Sequence, residues 1–236
     1  MTRSPLWRSI ADTLAAEIAQ GRYASGDKLP TEAALSQRFG VNRHTVRHAL
    51  AALAEAGTVH ARRGAGVFVA SHPTDYRLGR RVRFHQNVRE SGRTPSRQFL
   101  RMETLPADPR EAEALTLPAG SLVHVVEGLS LADGVPLAMF RSIFPAARFP
   151  QLLQRLEELQ SVTAALAACG LSDFTRAETR ITAKLANPLL ALHLRLAEGA
   201  ALLRSVAVNV DAAGQPVEFG QTWFAGDRVS LTVAPD

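Results

Sequence analysis

The 236-residue sequence has a single cysteine, Cys169, no apolar run approaching about 18 residues, and none of the common catalytic signatures. One cysteine excludes an internal disulfide and suits a reducing compartment; in its Ala/Leu-rich helical surroundings it reads as a small buried hydrophobe. The absence of a long apolar run removes any candidate membrane-spanning helix, and the opening MTRSPLWRSI lacks the apolar stretch and small-residue cleavage site of a signal peptide. The expectation is a cytoplasmic protein with no membrane partner. G-x-S-x-G, H-E-x-x-H and C-x-x-C are missing, and the seven histidines show no metal-ligand spacing, so no catalytic residue, metal or other cofactor is expected.

Charge is modest in total, at +5, but unevenly placed. Residues 1–83 hold 13 Lys/Arg against 6 Asp/Glu, whereas residues 84–236 hold 14 against 16. A basic head on a nearly neutral body is the footprint of a polyanion binder, because neutralising phosphates releases counterions. An anchor for acidic lipid is the competing reading. It is disfavoured because the basic residues lie between amphipathic helices and form no exposed basic cluster.

Residues 31–50, TEAALSQRFGVNRHTVRHAL, read as two short helices around a tight turn. Gly40 supplies the freely rotating backbone that a helix end requires, and Asn42 caps the second helix. There Val46, Ala49, Leu50 and Leu53 form one apolar stripe, leaving Arg43, His44, Arg47 and His48 on the other side. A recognition helix needs this arrangement, with N-terminal side chains at base edges in the major groove. A preceding helix over 6–20 carries Trp7, Ile10, Leu14 and Ile18 on one face and closes at Gly21. Thr31 and Glu32 place a capping hydroxyl and an acid at the start of the second helix. After Gly57 the segment TVHARRGAGVFVA reads as a β-hairpin wing bent at 64–66, where glycines allow close backbone approach and Arg62 and Arg63 reach a groove or phosphates. As a dinucleotide loop Gly64-x-Gly66 fails, since no third glycine follows and a strand comes next.

Residues 26–69 resemble the DNA-binding head of the GntR family of bacterial transcription regulators: the LP-[ST]-E start, the V-x-R-x-T-V-R helix and the R-x-G-x-G-x-[FV]-V wing stand at the family spacing. The resemblance implies a winged helix-turn-helix over 1–70. It also implies a double-stranded DNA operator contacted by Lys28, Thr31, Arg43, His44, Thr45, Arg47, Arg62, Arg63, Gly64 and Gly66. Ala33 departs from the pattern, since several relatives carry an Arg there that also touches DNA. One short recognition helix reads few base pairs, so a homodimer on an inverted repeat is expected, with the body as its interface.

Residues 71–83, SHPTDYRLGRRVR, are polar and aperiodic and read as a linker, with Arg77, Arg80, Arg81 and Arg83 either tracking DNA or solubilising a hinge. The span 84–236 repeats itself. Asp108 to Val125 lies over Asn187 to Arg204 at an offset of 79 without a gap, matching Pro109 with Pro188, Leu115 with Leu194 and Gly120 with Gly199. With one inserted residue Gly134 then meets Gly214 and Pro136 meets Pro216, while upstream Arg101 falls on Arg180. Each copy reads as helix, strand, Asx-Pro helix, strand, turn, strand, giving an α+β body: six largely antiparallel strands, helices on one face, and a cleft where the copies meet.

That span resembles the UTRA effector-binding domain of the HutC subfamily, whose fold is like that of chorismate lyase. VRFHQNVRESGRTP and AETRITAKLA look most like the regulator of phosphonate utilisation. The resemblance implies a repressor released by a small, anionic effector; a HutC-type regulator of amino-acid or sugar catabolism is the alternative. For the anion, Arg141 and Arg180 would supply bidentate donors, His85, Ser161 and Thr163 would stand at helix starts, and Glu218 and Gln221 would orient hydroxyls or an amine. Relatives that bind phosphosugars often carry Arg where this chain has Gly128 and Ser130, which argues against a phosphosugar. An enzyme with a lyase-like body is a rival class without a catalytic motif to support it. An architectural DNA binder would not need a duplicated body.

Overall fold

The computed structural model describes residues 5–23, 26–62, 64–70 and 73–233. The chain divides into two compact units, Met1–His72 and Pro73–Asp236.

The first unit holds three helices, α1 (Leu6–Ala19), α2 (Glu32–Phe39) and α3 (Arg43–Glu55), followed by an antiparallel hairpin of β1 (Val59–Arg62) and β2 (Gly66–Val69). Its boundaries follow from local chemistry. Thr31 Oγ1 accepts the Ala34 amide and Asn42 Oδ1 accepts the Thr45 amide at 2.8 Å, satisfying amides that the first turns of α2 and α3 leave free. Gly40 ends α2 in the left-handed region at φ 64°, where an L side chain would be strained. Ile10, Leu14, Leu29, Leu35, Val46, Ala49, Leu50 and Leu53 bury the helices against one another and against Val59 and Val69 of the hairpin. The apolar stripe read on α3 is its buried face.

The second unit is built on one six-stranded antiparallel sheet in the order β4-β5-β6-β9-β8-β7. The first copy supplies α4 (Phe84–Glu90), β4 (Pro95–Pro106), α5 (Pro109–Leu115), β5 (Leu122–Ala132) and β6 (Val135–Pro145). After α6 (Leu152–Leu159), the second supplies α7 (Val162–Ala168), β7 (Thr175–Leu185), α8 (Pro188–Leu194), β8 (Ala201–Val210) and β9 (Pro216–Ala225). The last strands of the copies, β6 and β9, pair at the centre and relate the halves by a pseudo-twofold. The repeat extends to detail: Asp108 and Asn187 cap α5 and α8, and both helices end on a left-handed non-glycine residue, Thr116 at φ 54° and Arg195 at φ 53°.

Three features differ from the sequence reading. Helices cover both faces of the sheet. Leu152, Leu156, Val162 and Leu166 of α6 and α7 pack on Val126, Phe140, Phe144 and Val217, while Leu115 of α5 packs on Val123, Val125, Ile143 and Phe219 of the other face. The nearly continuous burial along β5 and β6 is what two covered faces demand. Next, the stretch read as a linker contains β3 (Thr74–Arg77), paired in parallel with β10 (Val229–Thr232), and its Tyr76 and Leu78 are buried with Phe84 and Val88. The alternation in TDYR was too short to register as a strand. Finally, three arginines of that stretch are tied to the body: Arg81 pairs with Asp173 at 2.6 Å, Arg83 donates to the Phe174 carbonyl at 2.9 Å, and Arg77 lies 3.9 Å from Glu90. Among the described residues no helix is long and apolar enough to cross a membrane.

Candidate functional sites

On the first unit the exposed side of α3 carries Arg43 and His44, neither with a side-chain partner among the described residues. Arg47 is also exposed, and its guanidinium donates from Nε and Nη2 to the two oxygens of Glu32, at 3.1 and 2.8 Å. That pairing holds the Glu32 carboxyl below the usual carboxylate range and presents the Arg47 fork in a fixed orientation. Thr31 and Thr45 are both used locally, Thr31 as the α2 cap and Thr45 through a hydroxyl bond of 2.9 Å to Asn42. In the hairpin, Arg62 lies over the Phe68 ring and donates to His60 Nε2 at 3.2 Å. Gly64 and Gly66 have φ of 74° and 116°, and a Cβ on Gly66 would meet Lys28 Cε at 2.7 Å. The wing tip therefore favours glycine at 66 for its backbone, which the mobile end of the Lys28 side chain crosses. Arg63 lies outside the described residues.

α1 and α2 are also tied to each other. Glu17, buried in α1, accepts from Arg38 of α2 at 2.8 Å and from Arg22 at 2.5 Å. The Arg38 hydrogen bond is the largest influence holding this carboxyl at about 2.

On the second unit a cleft opens on the sheet face under α4 and α7. Its inner chamber, about 80 Å³, is walled by Tyr76, Phe84, Phe140, Phe174 and Phe224 and receives the polar groups of Arg97, Arg176, Asn209 and Glu218. An outer mouth of about 360 Å³, reached past Arg97, is lined by His85, Arg89, Ser161 and Thr163. The duplication organises the chamber, since Arg97 of β4 and Arg176 of β7 are equivalent at the 79-residue offset.

Arg97 is the central group. Its guanidinium lies 4.4 Å from the Phe140 ring centre and 5.2 Å from that of Phe84, with no ion pair among the described residues. Burial pushes its pKa down from the ordinary value, while Tyr76 and Glu218 pull it up; an arginine stays charged throughout. Among the described residues the Arg176 guanidinium makes one side-chain hydrogen bond, to Asn209 Oδ1 at 3.4 Å. Glu218 accepts from Ser142 Oγ and Asn209 Nδ2, both at 2.6 Å. Burial raises the Tyr76 phenol, with Arg176 and Arg97 opposing. His85 is lowered by burial and by Arg97 and Arg89, and its buried Nε2 has no partner among the described residues. The arrangement can hold a small anion between aromatic walls, with two guanidiniums to bind it.

Of the effector residues expected from sequence, Glu218 lies in the chamber, Thr163 lines both chamber and mouth, and His85 and Ser161 stand at the mouth. The Ser161 hydroxyl is spent on capping α7, where it accepts the Ala164 amide at 3.3 Å. Arg141, Arg180 and Gln221 are not in the cleft. Arg141 points to the opposite face, bonded to Glu111 of α5 at 2.6 Å and Glu127 at 3.0 Å. Arg180 pairs with Glu178 beside a separate groove, and Gln221 accepts from Arg204 at 2.7 Å on that same side. For Arg180 the physical reason is a β-bulge, one of which interrupts each outer strand, between Phe99 and Arg101 and between Arg176 and Glu178, and reverses the facing of every later residue; Arg141 and Gln221 pair across β6 and β9 in the same cross-strand row as Arg180, on the face away from the cleft. Arg97 and Arg176 precede the bulges and face the cleft. Gly128 sits opposite the first bulge, where a Cβ would come within 2.5 Å of the Gln98 carbonyl oxygen; no arginine fits there.

Comparison with known proteins is consistent along the chain. Residues 6–69 match the model of the bacterial regulatory proteins of the gntR family, and residues 90–230 match the UTRA domain. A Rhizobium meliloti (strain 1021) protein described as "Uncharacterized HTH-type transcriptional regulator RB1450" is 40% identical over 97% of this chain and 94% of its own. An Escherichia coli (strain K12) protein described as "Probable transcriptional regulator PhnF" is 32% identical over 96% and 94%. Among solved structures, PhnF from Mycobacterium smegmatis superposes with a TM-score of 0.69 at 26% identity, covering 97% of this chain and 98% of that one.

Proposed function

The chain belongs to the GntR family of bacterial regulatory proteins with a UTRA effector domain, and from that premise we propose that it is a homodimeric repressor released from an inverted-repeat operator by a small anion. That it is a DNA-binding transcription regulator follows from family membership and from relatives that are regulators along their whole length. The finer reading concerns which residues act and on what. Arg43, His44 and Arg47 read the operator from α3, while Lys28, Arg62 and Arg63 with the backbone at Gly64 and Gly66 contact phosphates and a groove.

The observation that carries the ligand reading is Arg97, a half-buried guanidinium flanked by two phenylalanine rings with no carboxylate within ion-pair distance among the described residues. Leaving a charge unmatched in a low-dielectric site is costly, and an anionic ligand offsets that cost. A phosphonate is the anion favoured here, since two relatives carry the PhnF name and the chain resembles the phosphonate-utilisation regulator. The chamber is lined by Tyr76, Val82 and Phe84, from the first stretch of the second unit after the head. A ligand there acts on the segment through which the two units are joined in sequence. It lowers operator affinity only by binding the non-DNA-binding arrangement better, and a tenfold loss needs about 1.4 kcal/mol of coupling.

The test is reciprocity. DNA fragments from the flanking promoter, mapped by footprinting, are titrated with the full chain with and without ethylphosphonate, and ethylphosphonate binding is then measured with and without the mapped operator. The two affinities should fall by the same factor, and Arg97→Gln should abolish the effect. A chain that stays monomeric at micromolar concentration with operator present, or release unaffected by Arg97→Gln, overturns the proposal.

A further inference from the structure

The chamber around Arg97 holds a second unmatched charge of the opposite sign. Glu218 is 9% exposed, and its two hydrogen bonds come from neutral donors, Ser142 and Asn209, with no cationic nitrogen within ion-pair distance among the described residues. Arg97 and Glu218 thus line one small chamber, sense each other's charge, and are not paired. The protein could have joined them directly, as it joins Arg141 to Glu111 and Glu127 on the other face of the sheet. A ligand that matches both charges must itself carry both.

We infer that the cleft takes a small zwitterion, with a phosphonate or phosphate head toward Arg97 and Arg176 and an ammonium a few bonds away toward Glu218. This rests on the reading of the cleft as the effector site and narrows it. The charge balance selects the head group. Two guanidiniums against one carboxylate leave one positive charge, which a dianionic head plus one ammonium cancels and an amino-carboxylate does not. Tyr76, 7% exposed as a whole, adds a hydroxyl without a hydrogen-bond partner among the described residues, and it can donate to a head-group oxygen. A chamber of about 80 Å³ holds a molecule of a few heavy atoms, which excludes a lipid bearing the same head group.

Calorimetric titration of the full chain with 2-aminoethylphosphonate, O-phosphoethanolamine and ethylphosphonate tests the inference. Both aminated probes should bind about tenfold or more tightly than ethylphosphonate, the size of one charge-assisted contact in a buried site. Preference for the phosphonate over the phosphate ester, or the reverse, tells which head the chamber prefers within the class. Glu218→Gln should act with opposite signs, weakening 2-aminoethylphosphonate about tenfold while tightening ethylphosphonate, because it removes a negative charge that repels the anion; a misfolded variant would weaken both. Equal affinity of the wild-type chain for 2-aminoethylphosphonate and ethylphosphonate overturns the zwitterion and leaves the anion cleft standing. No binding of any of the three overturns both, and this comparison needs no variant at all.

Discussion

Replacing Arg141 separates a structural arginine from a ligand-binding one. Its guanidinium joins Glu111, whose side chain is 5% exposed, to Glu127, and is itself 24% exposed. Arg141→Ala leaves Glu111 with no cation within ion-pair distance among the described residues, while Glu127 keeps only Arg101, at 4.0 Å. Removing one partner of a buried pair costs about 3–5 kcal/mol, because the abandoned charge stays desolvated. Partial exposure of Arg141 and Glu127 lets water in, and Glu111 keeps its capping-box bonds with Asp108, so about 2–4 kcal/mol is the expected loss. For a domain of this size that lowers the unfolding temperature by about 5–15 °C, readable by calorimetry of the full chain. Arg141→Met combined with Glu111→Gln and Glu127→Gln should recover most of the loss, since neutral groups of similar size remove the charges together. Ligand affinity in the cleft should stay near that of the wild type at temperatures where the variant is folded, because Arg141 lies on the other face of the sheet. If Arg141→Ala melts within about 2 °C of wild type yet loses ligand binding, the placement of Arg141 is wrong.

Two further predictions concern the first unit. Glu17, held at about 2 by Arg38 and Arg22 against an ordinary value of 4.5, should contribute stability that is fully present above about pH 4.5 and lost as pH falls toward 2; amide exchange in α1 to α3 should show this acid limb, and Glu17→Gln should flatten it. Arg47→Ala should cost about 1–3 kcal/mol of operator binding and relax base preference, whereas Glu32→Gln, which removes the charge orienting Arg47, should loosen preference without removing affinity; a uniform loss across all sequences in both variants would make Arg47 a phosphate contact instead.

How much of this was legible depended on whether the signal was local. Thr31, Gly40 and Asn42 announce their helix ends because a cap needs a side-chain acceptor or a left-handed backbone at one position. The duplication was legible for a similar reason: Asx-Pro starts and turn glycines recur at fixed offsets, and with the pairing of β6 and β9 they fix the whole strand order. β3 and β10 were not legible, as each is four residues long and is stable only against the other and against Phe84 and Phe224. Likewise α6 lies outside the repeat, so no internal comparison marks it.

The cleft shows where pattern reading stops. Along a regular strand, residues two apart share a face, so Arg97 and Arg101 would stand together, as would Arg176 and Arg180. The repeat superposes both pairs equally well, Arg97 on Arg176 and Arg101 on Arg180, and gives no reason to prefer either. One extra residue in each strand decides it. The bulges put Arg101 and Arg180 on the face where Glu103 and Glu178 already pair with them, and leave Arg97 and Arg176 facing the chamber with no carboxylate of their own. A bulge is a backbone irregularity whose trace in sequence is faint, here a glycine at 128 with no room for a side chain. Because it sits in both copies, the duplication carries the arginine pair and the geometry that exposes it together, whereas Glu218 belongs to one copy alone, its counterpart being Ala138.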